Sequence, residues 1–269
     1  MPTLWSRPAD LSGPAQLTPP PRDIRGSLPL LAALAMVLAL LAGAGSAVWW
    51  LVDGPEEVER PKTLAGWVLE GTRPTSCLRL IIGMDVSGSM NKFAAARDAA
   101  LAQLQQWATM PHTLRADDEM AVVDFALTAA TRFPPMPAAS SPLLSAAPTE
   151  DGRDTLIAPL LERTREFPSV PGCEVVLLLL SDAIVADLPP DPAAGRKLMR
   201  ENGIHDVRLL VPGYEINVPD GWDAAFPDSP PIRFDGLDPD ETALAIGRTI
   251  ADLTGQEFEP ATITVGVTR

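Results

Sequence analysis

Two strongly apolar runs, LRLIIGM at residues 78–84, broken only by Arg79, and VVLLLL at residues 175–180, constrain the fold of this chain more than any other feature. The first reads as a buried strand, and the second, with no alternation of polar and apolar residues, suits a central strand buried on both faces. The first run ends on Asp85, and the second ends on Ser181 and Asp182. Between and after them come amphipathic stretches. Phe93, Ala96, Ala100, Leu104 and Trp107 recur at helical spacing, with Asn91 placed to cap their start. Further strands are expected at residues 120–126, 128–133, 207–211 and 232–234. A helix carrying Leu156, Leu160, Leu161 and Phe167 has Pro159 in its first turn, where proline is tolerated, and another helix is expected near residues 195–202. At the far end Asp238 caps, Pro239 takes the first helical position, Asp240 and Glu241 fill the first turn, and Gly255 stops the helix. Strands alternating with helices predict an α/β fold, a doubly wound, mostly parallel, Rossmann-like sheet with helices on both faces.

Before this domain lies a segment of different character. Residues 1–26 are rich in proline, with Pro2, Pro8, Pro14 and the run Pro19, Pro20, Pro21, and are expected to form a disordered tail. No ionisable residue occurs from position 27 to position 52. That length suffices for a helix crossing a hydrocarbon core of roughly 30 Å, and Trp49 and Trp50 suit the interfacial belt. A cleaved signal peptide is the other reading, since Ala42, Ala44 and Ala47 offer small-residue sites, although its apolar core is usually shorter, about 7–15 residues. Residues 53–63 read as a linker, 64–254 as the domain and 255–269 as an extension. Basic residues flank the span on both sides, Arg22 and Arg25 before it and Arg60 and Lys62 after it, so charge alone leaves orientation nearly balanced.

A formal net charge of −14 with no basic cluster excludes nucleic acid as a partner, because such binding neutralises phosphates with Lys and Arg. The chemistry is concentrated elsewhere. Asp85-Val86-Ser87-Gly88-Ser89 stands at the carboxyl end of the first run and opens a helix, the edge at which open parallel sheets bind ligands. Its spacing lets one carboxylate and two hydroxyls turn toward one point, and Gly88 permits the turn. Oxygen-only donors suit a hard cation, Mg2+ first, with Mn2+ and Ca2+ sharing the preference.

With these residues the chain resembles the von Willebrand factor type A family over residues 78–253. The metal-ion-dependent adhesion site of that family begins with the same Asp-x-Ser-x-Ser pattern. The resemblance implies a threonine in a loop leading into a helix, matched by Thr155, and an aspartate ending the central strand, matched by Asp182. It therefore implies a metal held by Asp85, Ser87, Ser89, Thr155 and Asp182, with one position left for a Glu or Asp of a partner protein. The family often has glycine where this chain has Asp154 and Ala183. In the family's sheet the two strands are parallel neighbours, so the resemblance also implies that Cys77 and Cys173 face each other and form a disulfide. A disulfide belongs to an oxidising compartment and favours a cytoplasmic N-terminus with the domain outside the cell membrane.

Non-enzymatic binding is the leading expectation. His112 and His205 fall in helix-to-strand connections, away from Asp85, and a serine nucleophile usually needs a nearby base. A phosphoryl transferase using Asp85 would want a second aspartate where Ser87 stands. A scaffold with an idle metal site is the third possibility.

Overall fold

The two apolar runs form adjacent parallel strands at the centre of a six-stranded sheet. The structure is a computed structural model and describes residues 60–140 and 154–261. The expected tail and membrane span, with the linker up to residue 59, lie outside the described residues. Among the described residues no helix is long and apolar enough to cross a membrane.

In chain order the strands are β1 (Trp67–Glu70), β2 (Cys77–Asp85), β3 (Glu119–Phe125), β4 (Ala129–Pro137), β5 (Cys173–Leu180), β6 (Asp206–Val211), β7 (Ile232–Arg233) and β8 (Glu257–Pro260). The helices are α1 (Ala94–Ala108), α2 (Ile157–Arg165), α3 (Pro192–Glu201), α4 (Asp220–Ala225) and α5 (Pro239–Thr254). The main sheet runs β4-β3-β2-β5-β6-β7, parallel throughout except for the antiparallel β3–β4 hairpin at one edge.

Because side chains on a strand point alternately to opposite faces, the apolar runs feed two cores. Leu80, Ile82, Met84, Val176, Leu178 and Leu180 pack with α1 and α5 on one face. Ile81, Leu177 and Leu179 pack with Ile157 and Leu160 of α2, Met199 of α3 and Trp222 of α4 on the other. Gly83 of β2 leaves room for this second packing, since a Cβ there would stand 2.8 Å from a Leu179 methyl and 2.9 Å from a Leu160 methyl.

The register pairs Cys77 with Cys173, and a disulfide joins them across a Cα–Cα distance of 4.4 Å. At the same end the buried Asp118 carboxylate accepts from the Leu78 and Arg115 amides and from both terminal nitrogens of Arg73. α5 is capped by Asp238, which accepts from the Asp240 and Glu241 amides, and closes on Gly255 in the left-handed region at φ 64°. That reproduces the sequence expectation.

The start of α1 differs from it. Residues Gly88–Phe93 form a 3-10 turn, and the α-helix begins only at Ala94, with Phe93 at its cap position. Asn91 therefore lies within the turn rather than capping the helix. The six residues of the turn let the chain leave Asp85 and still bury Met90 and Phe93 before the α-helix starts. The residues after Gly255, read from sequence as an extension, supply β8, which pairs antiparallel with β1. Trp67 stacks on Phe258 with ring centroids 4.7 Å apart, and the Trp107 indole donates to the Trp67 carbonyl at 2.7 Å.

Candidate metal centre

Asp85, Ser87 and Ser89 leave the carboxyl end of β2, Asp182 leaves that of β5, and Thr155 stands two residues ahead of α2. Three backbone hydrogen bonds lace their loops together. The Val86 amide donates to Phe125, the Leu156 amide to Ala126, and the Ala186 amide to the Thr155 carbonyl, at 2.9, 3.0 and 2.9 Å. The end of β3 and the loops carrying Asp85, Thr155 and Asp182 are thus held at one edge.

Within the group, Asp85 is fully buried. One of its oxygens, Oδ1, accepts from the Ser87 amide at 2.9 Å, and Oδ2 accepts from the Ser181 hydroxyl at 2.6 Å. Ser87 and Ser89 place their hydroxyl oxygens 3.2 Å apart. Asp182 and Thr155 are buried, Ser89 is exposed, and Asp182 accepts from the Ile184 amide at 3.0 Å. The hydrogen bonds inside the group join Asp85, Ser87 and Ser89. Thr155 and Asp182 are brought to the same edge by the backbone.

Burial pushes the Asp85 carboxyl above its ordinary value; the hydroxyls and amide of Ser181 and Ser87 oppose that rise, and the nearby Asp182 charge adds to it. Among the described residues neither Asp85 nor Asp182 has a Lys or Arg side chain against its carboxylate. Nor do the described residues contain a cluster of three or more His, Cys, Asp or Glu side chains suited to a metal. This edge offers two carboxylates and three hydroxyls instead, a donor set of oxygens that fits Mg2+ or Mn2+ and offers nothing to a soft metal.

Two supporting residues escape the sequence reading. Ser181 stands opposite Asp85 because β2 and β5 run in register through Met84 and Leu180, so extending the pairing of the two runs by one residue would have found it. Arg97 is buried on α1 and donates to the Asp85 carbonyl at 3.0 Å. It adjoins Asp98, which Arg132 links to Asp124 by contacts of 2.9 and 2.5 Å. A charged residue on the apolar face of an amphipathic helix was its only signal. Asp154 is exposed, and Ala183 adopts φ 61°, the left-handed region in which the family's usual glycine sits without strain. A third unanticipated residue, Asp187, accepts from the Ile157 and Ala158 amides at 2.7 and 2.9 Å and so caps α2 from the loop after Asp182.

The histidines lie elsewhere. His205 accepts the Val175 amide through Nδ1 at the amino-terminal edge of β5, and the His112 carbonyl accepts from Leu69. A cleft of about 340 Å3 lined by Met199, His205, Phe226 and Ser229 is also at that distant edge, next to the start of β6.

No family model matches the chain, and no curated protein matches it. Solved structures of similar shape include proximal thread matrix protein 1 from the mussel byssus with a zinc-occupied MIDAS motif. It is 16% identical over 68% of this chain, with a TM-score of 0.47, and this chain spans 49% of its length. A von Willebrand factor type A protein from Catenulispora acidiphila is 16% identical over 75% of this chain and 52% of its own, with a TM-score of 0.46. The manganese-loaded TRAP protein of Plasmodium vivax is 13% identical over 72% of this chain and 80% of its own, with a TM-score of 0.45. Likenesses at this level carry no weight for function.

Proposed function

We propose that this chain is a metal-dependent protein-binding module of the von Willebrand factor type A kind. Asp85, Ser87, Ser89, Thr155 and Asp182 would hold one hard divalent cation, Mg2+ in the first instance. One observation carries this reading. Two buried aspartates on neighbouring strand ends face a shared edge with no cationic side chain among the described residues to balance them. Burial penalises the charged form of Asp85, opposed in part by the hydrogen bonds from Ser181 and Ser87, and a cation drawn to the same oxygens would offset that penalty. The bound metal supplies a positive centre for a carboxylate of a partner protein. The chain's own residues do the rest: Ser181 and the Ser87 amide orient Asp85, Arg97 fixes its carbonyl, and Asp187 with the Ala186 amide holds the Thr155 loop.

The same proposal places the domain outside a membrane, anchored through residues 27–52. Two features support it: the absence of ionisable residues there, and the Cys77–Cys173 disulfide, which belongs to an oxidising compartment.

Titration of the chain with Mn2+ by isothermal calorimetry tests the site. One saturable site is expected in the native chain, with affinity reduced at least a hundredfold in Asp85→Ala and in Asp182→Ala. Native-like Mn2+ uptake by both folded variants would refute the assignment.

A further inference from the structure

Among the described residues the exposed large apolar side chains are Leu127, Ile184, Tyr214 and Leu237, at 51, 57, 69 and 61% exposure. All of them sit at the edge that carries Asp85. Leu127 follows β3, Ile184 follows β5, Tyr214 follows β6 and Leu237 follows β7. None lies at the opposite edge. Single exposed apolar residues need no explanation, but their confinement to one edge does.

The loops that carry them are joined to the site and to one another. The Ile184 amide donates to Asp182. Glu215, next to Tyr214, pairs at 3.1 Å with Lys92, three residues after Ser89. Arg233 donates to the carbonyls of Gly213 and Ile216 on either side of that pair. Gly236 lies so close to Pro212 that a Cβ would meet the Pro212 carbonyl oxygen at 2.7 Å, which sets the Leu237 loop against the Tyr214 loop. Strand spacing of about 4.8 Å makes the row from β3 to β7 roughly 20 Å long, the width of a small docking surface.

We infer that these four side chains form an apolar rim that selects a protein loop presenting one carboxylate flanked by large apolar residues. The inference rests on the metal-site reading above and names the partner's chemistry. The net charge of −14 sharpens it, because an acidic partner gains nothing from long-range attraction to this chain. Local contact must then supply the affinity, through the metal at the centre and apolar burial around it.

The test uses the full chain and a displayed library of random peptides, captured in Mg2+ and released with chelator. Released peptides are expected to share an Asp or Glu with Leu, Ile or Phe within four positions. A triple variant, Leu127→Ser, Tyr214→Ser and Leu237→Ser, should bind those peptides at least tenfold more weakly while taking up Mn2+ with native affinity. Chelator-released peptides with acidic residues but no apolar flanks, or unchanged affinity in the triple variant, would overturn the rim and leave the metal site standing. Absence of chelator-released peptides overturns it too, and the Mn2+ titration then shows whether the metal site falls with it.

Discussion

Asp85 is a buried acid whose charge is answered by hydroxyls and an amide, and its energetics differ with and without a cation. In metal-free protein its carboxyl stands above the ordinary value of 3.8, chiefly through burial. A native carboxyl with a raised pKa holds its proton more tightly than the unfolded chain does, so stability falls as pH rises from the unfolded to the folded value. Above the folded value the full cost of the buried charge is present. In chelator, Asp85→Asn should therefore be more stable than the native chain at pH 7, and the difference should shrink as pH falls toward 3.8. Saturating Mg2+ should reverse the order at pH 7. Urea denaturation of both proteins across that range, with and without metal, checks the sign. Ser181→Ala should cost about 1–3 kcal/mol by removing a hydrogen bond to this buried carboxylate. The grouping of Asp85, Ser87 and Ser89 was legible because they are close in sequence. Ser181 and Arg97 were not, because each acts on Asp85 across a strand pair or from a helix, and only register and burial bring them there.

At the scale of elements, strands and long helices were legible to within a few residues where apolar residues recur without interruption. The run 175–180 became β5, and the capped run after Asp238 became α5. Boundaries governed by tertiary contact were not. The N-cap residue of α2, Leu156, has no side chain that can cap, and Asp187, thirty residues beyond Ile157, accepts the first helical amides instead. Asp187→Ala should cost about 1 kcal/mol of stability and lower Mn2+ affinity through the Thr155 loop, measurable by denaturation and calorimetry on the same sample. The disulfide ties the ends of β2 and β5 across a sequence separation of 96. By the loop-length rule, reducing it should cost about 4–5 kcal/mol, seen as a lower denaturation midpoint in reductant.

At the scale of the molecule, the chain's entry to and exit from the domain are clipped together by β1 and β8. Each of these strands has four residues, too short for periodicity to mark. What holds them is aromatic packing, Phe258 stacking on Trp67 and meeting Trp107 edge-on. Gly247 of α5 makes room for it, since a Cβ there would meet the Phe258 ring at 3.0 Å. Phe258→Ala should destabilise the fold by about 2 kcal/mol, below the range for a fully buried phenylalanine because Phe258 is only half-buried. Thermal denaturation monitored by tryptophan fluorescence would show it. This clip lies apart from the carboxylate edge, so Mn2+ affinity should be unchanged in the same variant.

In the proposed site, side chains from three separate loops share one cation. Anomalous diffraction from a crystal soaked in Mn2+ measures this most directly. A single strong peak enclosed by Asp85, Ser87, Ser89, Thr155 and Asp182 is expected; a map with no peak there, or with Thr155 and Asp182 turned away from it, would refute the shared site.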